Sequence, residues 1–248
     1  MDNTQKFNGK AGIYTKARPG YAKELVSLLL EIGLGKDSIV ADIGSGTGIF
    51  SKVLLELGCK VYGVEPNDDM RWESEKNLAR FENFQALMGT AENTMLIEKS
   101  ADFITVAQAF HWFDTEKFKL ECTRIIKDKG KVILIWNSRI MGSPIVKENE
   151  QIFRKFCPAF NGFSGGIGYM DESIQEFYNH FEVYRFPNNL PFHKSKFIER
   201  NLSASYSLKK NDSEYDLYLI ELNNLFDKYA VDGMLNVPNE TIVYVGEI

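Results

Sequence analysis

Three cysteines and three histidines are all that 248 residues contain. Cys59, Cys122 and Cys157 are odd in number, far apart and without a CxxC pair. That excludes a disulfide framework or a cysteine zinc site and fits reduced thiols. His111, His180 and His193 show no metal-ligand spacing, so no metal is expected. Long apolar runs are also missing. A stretch such as KVILIW at 131–136 falls far below the roughly 20 residues needed to cross a bilayer. The opening MDNTQKFNGK has no apolar core and is not expected to be a signal peptide. Positive charge is in short supply: 29 Lys and Arg face 34 Asp and Glu, for a net charge of −5. That balance argues against nucleic acid as the main partner. There is no internal repeat and no low-complexity tract. What remains is an ordinary globular composition, 44% hydrophobic and 25% charged. We expect one cytoplasmic domain of residues 1–248, with no membrane partner.

The chain then alternates. After the aromatic segment FNGKAGIYTKARPGY, apolar residues fall at Ala22, Leu25, Val26, Leu29 and Ile32, which is helical spacing closed by Gly33 and Gly35. SIVADIG reads as a strand and IFSKVLLELG as a helix ended by Gly58. KVYGVEP is a second strand, and Asn67 caps a helix with acids in its first turn. FQALMG and ADFITVAQAF are strands, TEKFKLECTRIIKDKG is a helix, and KVILIWN is a fifth strand. Runs such as VILIW are apolar throughout, as expected of strands buried on both faces. Short alternating connections imply right-handed crossovers and a parallel sheet with helices on both sides. Beyond Trp136 the rhythm changes. Ser143-Pro144 starts a helix, a glycine loop covers 161–168, and EVYRF and ETIVYVGEI read as strands. Helical segments at about 143–180 and 193–232 are expected to form a cap on the single domain.

The stretch IVADIGSGTG at 39–48 carries the chemistry. In an open α/β sheet, ligands bind beyond the carboxyl ends of the strands, where strand order reverses. Gly44, Gly46 and Gly48 remove side chains there and permit positive φ. The helix that follows offers free N–H groups and a partial positive charge to an anionic group. Glu65 closes the second strand 65 − 44 = 21 residues beyond the first glycine, where an acid can accept hydrogen bonds from both hydroxyls of a ribose. The dinucleotide fingerprint needs glycines at relative positions 1, 3 and 6. The sixth position here is Ile49, which weighs against a nicotinamide-dependent oxidoreductase, the alternative reading.

With Asp42 two residues ahead of the glycines, the pattern resembles motif I of the class I S-adenosylmethionine (SAM) dependent methyltransferases, roughly D/E-x-G-x-G-x-G. The resemblance covers about residues 10–140. It implies a three-layer Rossmann-like α/β fold of seven strands, mostly parallel with an antiparallel final strand. It implies SAM as cofactor and S-adenosylhomocysteine as product. The methionine end would lie along Gly44, Ser45, Gly46 and Gly48, with Asp42 near the ammonium and Glu65 on the ribose beside Pro66. GTAEN at 89–93 matches the segment that meets the adenine edge, through Thr90, Ala91 or Glu92, and many relatives carry Asp at the position of Thr90. Met70 stands where relatives place an apolar residue against the adenine ring, or is a core residue. Gln108 falls where relatives contact the methionine moiety. YTKARPGY together with AQAFHWFD is similar to the trans-aconitate methyltransferase-like, small-molecule branch.

Methyl transfer from a sulfonium is an in-line displacement, for which alignment and desolvation suffice unless the acceptor is protonated. His111 is therefore either a base or a structural donor. Trp112 and Phe113 are either a pocket wall or packing. Asp114 is expected to cap the next helix. Tyr14 and Arg18 belong to an arm that folds over the cofactor in resembling enzymes, and Arg18 suits a carboxylate of the cofactor or of a substrate. Arg139 and Tyr206 complete the candidate pocket for a small-molecule acceptor. A non-catalytic SAM-binding protein would carry the same loop and remains the other alternative.

Overall fold

The computed structural model describes residues 20–163, 170–204 and 206–248. These fall into two compact units: residues 20–136, 170–186 and 241–248 in one, and 137–163, 187–204 and 206–240 in the other.

The first unit opens with α1 (Glu24–Glu31), which buries Leu25, Leu28 and Leu29 along one stripe. Gly33 ends it at φ 92°. Its N–H reaches the carbonyl of Leu30 at 3.1 Å, and that of Leu34 reaches Leu29 at 2.9 Å. This paired closure satisfies the last carbonyls of a helix through a left-handed glycine. α2 (Ile49–Glu56) ends the same way on Gly58, with Gly58 N–H on Leu55 at 3.0 Å and Cys59 N–H on Leu54 at 3.2 Å. Both stops were expected from the glycines.

β1 (Ile39–Ile43) pairs in parallel with β2 (Lys60–Val64) on one side and with β4 (Ala101–Ala107) on the other. β3 (Phe84–Leu87) pairs with β2, and β5 (Ile126–Arg139) with β4. β6 (His180–Pro187) and β9 (Asn239–Glu247) complete a seven-stranded sheet of order β3-β2-β1-β4-β5-β9-β6. It is mostly parallel, with one antiparallel strand. The order reverses between β1 and β4, which makes the space beyond their carboxyl ends the crevice of the fold. α3 (Asp68–Leu78) starts where Asn67 Oδ1 accepts from Met70 N–H at 3.0 Å, the expected cap. α4 (Thr115–Ile125) starts on Asp114, which accepts from Lys117 N–H at 3.2 Å.

One boundary differs from expectation. The helical reading of TEKFKLECTRIIKDKG runs too far, because Ile126 is already extended and pairs with Ala101. The register then jumps so that Phe103 faces Lys131, and Lys129 takes φ 67° within the bulge. Cross-strand pairing overrides helix propensity there.

On one side of the sheet, Leu25, Leu29, Phe50 and Leu54 pack against Val40, Val61, Ile133, Val243 and Val245. Elsewhere in the unit the packing is aromatic. Phe177 of α6 (Met170–Phe177) stacks on Phe118 with centroids 5.4 Å apart and meets Phe110 edge-on at 5.1 Å. This helix, expected in the cap, is therefore part of the sheet unit.

The second unit holds α5 (Pro144–Phe156), α7 (Lys194–Leu202) and α8 (Tyr215–Tyr229) around Phe153, Phe156, Phe197, Tyr218 and Leu222. It also contains an antiparallel pair not foreseen, β7 (Leu190–His193) with β8 (Met234–Val237), in register from Leu190↔Val237 to His193↔Met234. Pro187 makes this region read as an interrupted strand, and the pairing partner lies beyond two helices. Among the described residues, no helix is long and apolar enough to cross a membrane.

Candidate functional site

The loop after β1 is pinned to the end of β2. Gly44 and Ser45 both donate to the carbonyl of Val64, at 2.9 and 3.2 Å, and Gly48 donates to Ser45 at 3.0 Å. Gly44, Gly46 and Gly48 all take positive φ, at 68°, 56° and 81°. Their reasons differ. A Cβ on Gly44 would stand 2.6 Å from Ala109 Cβ, and one on Gly48 would stand 2.7 Å from Leu78 Cδ1. Those two glycines let chain segments pack closely. A Cβ on Gly46 would meet nothing within 4 Å, so the space above it is open. Two hydroxyls of the same loop, Ser45 Oγ and Thr47 Oγ1, are buried without a hydrogen-bond partner among the described residues. Buried hydroxyls are usually satisfied.

Glu65 is 8% exposed and belongs to this loop as much as to β2. One carboxylate oxygen accepts from Gly46 N–H at 3.0 Å and the other from Asn67 N–H at 2.9 Å. Arg71 Nη1 donates to the Glu65 carbonyl at 3.0 Å. Burial raises the Glu65 carboxyl above its ordinary value, and the two backbone N–H groups and then the Arg71 charge pull it back. Each oxygen accepts one bond here and keeps further acceptor capacity.

Asp42 is 1% exposed. Ser51 Oγ donates to one of its oxygens at 2.6 Å and Thr105 Oγ1 to the other at 2.9 Å. Burial pushes its carboxyl up to about 6, the two hydroxyls lower it, and Glu65 adds a small push upward. Asp42 thus ties β1, the start of α2 and β4 together beneath the glycines. Ser51 and Thr105 were not anticipated. A short polar residue in an otherwise apolar strand, and another in an apolar helix face, were the available signals.

Other expected residues line up around the same strand ends. Gln108 follows β4 with φ 62°, in the left-handed region that non-glycine residues seldom occupy, and donates its N–H to Ile135 at 2.9 Å. Such strained backbone clusters at functional sites. Pro66 is half-buried, and Met70 is 3% exposed. In the segment after β3, Thr90 is exposed and bridges to Asn93, and Ala91 is buried. Glu92 Oε1 accepts from Asp114 N–H at 2.9 Å, joining this segment to the turn after β4. That turn, Phe110–Trp112, anchors buried Phe110 and exposes both His111 and Trp112, whose rings lie 4.7 Å apart. Phe113 packs edge-on against Phe118 at 4.9 Å. Arg139 and Tyr206 belong to the second unit. Tyr14 and Arg18 lie outside the described residues. Among the described residues, no three His, Cys, Asp or Glu side chains gather as a metal ion requires.

Residues 41–134 match the family described as methyltransferase domain. The fold is that of the Rossmann-like methyltransferases. An uncharacterised methyltransferase of Mycobacterium tuberculosis is 34% identical over 138 residues, which cover 56% of this chain and 54% of that protein. An uncharacterised methyltransferase-like protein of Schizosaccharomyces pombe is 30% identical over 159 residues, 62% of this chain and 61% of that one. The chain thus spans about half the length of most of the relatives it matches. Among solved structures, a type II methyltransferase candidate of Anaeromyxobacter dehalogenans superposes with a TM-score of 0.67 at 17% identity, covering 93% of this chain and 97% of that one. Phosphoethanolamine N-methyltransferase 2 of Haemonchus contortus, solved with S-adenosylhomocysteine and phosphomonomethylethanolamine, gives a TM-score of 0.54 at 16% identity, covering 100% of this chain and 59% of that one.

Proposed function

We propose that this methyltransferase-fold chain binds SAM and transfers its methyl group to a small-molecule acceptor by in-line displacement. The observation that carries the reading is the built loop: Glu65 bonded to Gly46, open space over Gly46, and two buried hydroxyls awaiting partners. These features fit a nucleoside with an amino-acid tail. Glu65 holds the ribose hydroxyls with its remaining lone pairs. The N–H groups at the start of α2 take the tail's carboxylate. Ser45 and Thr47 complete the polar contacts. Asp42 positions the loop through Ser51 and Thr105, and at 1% exposure it lies beneath the glycines, so it acts on the ammonium through its charge rather than by direct contact. Met70 and the Thr90–Glu92 segment border the base, and Gln108 meets the tail from β4. When bound, the cofactor supplies a methyl group already activated by positive sulfur. The chain's own residues orient the acceptor and exclude water. His111 receives the acceptor's proton where the acceptor carries one, with Trp112 beside it. We read the acceptor as a small molecule, consistent with the trans-aconitate methyltransferase-like branch.

Isothermal titration tests this. SAM and S-adenosylhomocysteine are expected to bind in the micromolar range and NADH not at all. Glu65→Ala is expected to weaken SAM at least tenfold, in line with the about 1.5–3 kcal/mol of a hydrogen bond to a charged group. Absence of SAM binding at high micromolar concentration, or wild-type affinity in Glu65→Ala, overturns the reading.

A further inference from the structure

The segment that follows β3 buries little apolar surface of its own. Ala91 and Leu96 are buried, while Met88, Met95 and Ile97 stand exposed. Its backbone is also bent against preference. Met95 takes φ 62° and Lys99 takes φ 52°, a left-handed conformation that costs a non-glycine residue about 1–2 kcal/mol. Such residues persist only where their surroundings over-determine them.

An ion pair on α4 does the holding. Glu121 is buried on the same stripe as Phe118, Cys122 and Ile125. One of its carboxylate oxygens accepts from Thr94 N–H at 2.8 Å, from Thr94 Oγ1 at 2.6 Å and from Arg124 Nη2 at 2.7 Å. The other accepts from Arg124 Nε at 2.8 Å. The remaining nitrogen of that fork, Arg124 Nη1, donates to the Leu96 carbonyl at 2.8 Å. The pair therefore grips the main chain on both sides of Met95, at the N–H of Thr94 and the carbonyl of Leu96. Lys99 N–H on the Arg124 carbonyl at 3.0 Å and Ser100 N–H on that of Ile125 at 2.9 Å extend the hold. At the other end, Glu92 is bonded to the N–H of Asp114, the cap of the same helix. Between these fastenings lies a tight turn, in which Thr90 and Asn93 exchange main-chain bonds at 3.0 and 3.3 Å.

Stability alone does not account for the pair, because apolar residues in place of a buried ion pair are often neutral or stabilising. A guanidinium bonded through all three nitrogens supplies fixed geometry instead. We propose that Glu121, Arg124 and Thr94 form a positioning clamp that sets the Thr90–Glu92 turn against the base of the cofactor and so sets the preference for adenine. The proposal rests on the methyl-transfer reading above. The three side chains act through the turn and not on the base itself. The sequence offered one signal, an acid on the apolar stripe of α4, and Thr94 becomes its partner only in the fold.

Titration calorimetry of the full chain with S-adenosylhomocysteine and S-inosylhomocysteine tests the clamp. The second ligand carries hypoxanthine, which exchanges the amino donor of adenine for a carbonyl and leaves ribose and tail unchanged. The wild type is expected to bind S-adenosylhomocysteine at least about tenfold tighter, as the loss of a well-placed hydrogen bond implies. Glu121→Gln keeps the shape but not the charge and is expected to bring that preference below about threefold. Thr94→Val removes the hydroxyl donor and Arg124→Lys removes the fork. Both are expected to fall between the two, and they decide the matter should Glu121→Gln fail to fold. Leu28→Ala, in the buried stripe of α1, is expected to lower the melting temperature yet keep the full preference. Equal binding of both ligands by the wild type, an undiminished preference in every folded clamp variant, or the same loss in Leu28→Ala overturns the clamp and leaves the methyl-transfer reading standing. A wild type that binds neither ligand overturns both.

Discussion

Asp42 is an acid held in a dry place with both oxygens occupied by hydroxyls. Its carboxyl titrates near 3.8 in an unfolded chain and at about 6 here. Between those values the folded protein keeps a proton that the unfolded chain releases. Stability from this group is therefore full below about pH 4 and is lost as pH rises through about 6. A shift of about two units corresponds to about 3 kcal/mol. Other carboxylates work in the opposite sense: Glu121, for example, is lowered overall, since bonds from Arg124 and Thr94 outweigh its desolvation. The Asp42 contribution is thus visible only as a difference. Asp42→Asn keeps the shape and removes the charge. Urea unfolding at pH 4 and pH 7.5 is expected to show the variant gaining on wild type by up to about 3 kcal/mol at the higher pH. An identical gap at the two pH values would show that Asp42 is not held protonated by its surroundings. The acid itself was legible from its place before the glycines. Its occupation by Ser51 and Thr105 was not, because Thr105 lies on another strand and only the parallel register Asp42↔Thr105 brings it alongside.

The three glycines of one loop serve two purposes, and a pair of alanine variants separates them. Gly48→Ala drives a methyl toward Leu78 and Ser74 at φ 81°. It is expected to lower stability by about 1–3 kcal/mol, from overpacking and backbone strain. Gly46→Ala meets open space, so its cost is about 1–2 kcal/mol of left-handed backbone. The chain is expected to melt a few degrees below wild type but to lose most SAM affinity, because the new methyl stands where the loop meets its ligand. Thermal melts beside SAM titrations check both; wild-type SAM affinity in Gly46→Ala would mean that the open space is not the ligand's. Features of this kind were readable from sequence because they are local. Gly33 and Gly58 stop their helices, and Asn67 and Asp114 cap theirs, through bonds spanning a few residues. The end of α4 was misread for the converse reason. The pairing of Ile126 with Ala101 is a contact between distant positions, and the helical pattern of IIKDKG gives no warning of it.

The order of the seven-stranded sheet places the last strand of the chain inside it, between β5 and β6. Alternation in the sequence conveys the parallel half of the fold well, since each strand there neighbours one close in the chain. It says little about the second unit, where β7 waits for β8 across two helices, or about how much depends on β9. Val243 and Val245 sit in the core with Leu29, Val40 and Ile133. Tyr244 packs edge-on against Trp136 at 5.7 Å. Thr241 Oγ1 accepts from Ala22 N–H at 2.9 Å, fixing the lead into α1. Deleting residues 240–248 would leave β5 and β6 with bare backbone edges in the middle of the sheet. It would also forfeit about 1.5–3 kcal/mol for each buried apolar side chain, against a total stability of about 5–15 kcal/mol for a typical domain. The glycine loop and Glu65 lie on β1 and β2, far from this strand in sequence, yet they depend on a sheet that does not close without it. A chain ending at Asn239 is therefore expected to lose both its cooperative thermal transition and all SAM binding, although every residue of the loop is present. A truncated chain that melts cooperatively and still binds SAM would show that β1 to β5 with their helices fold without β9.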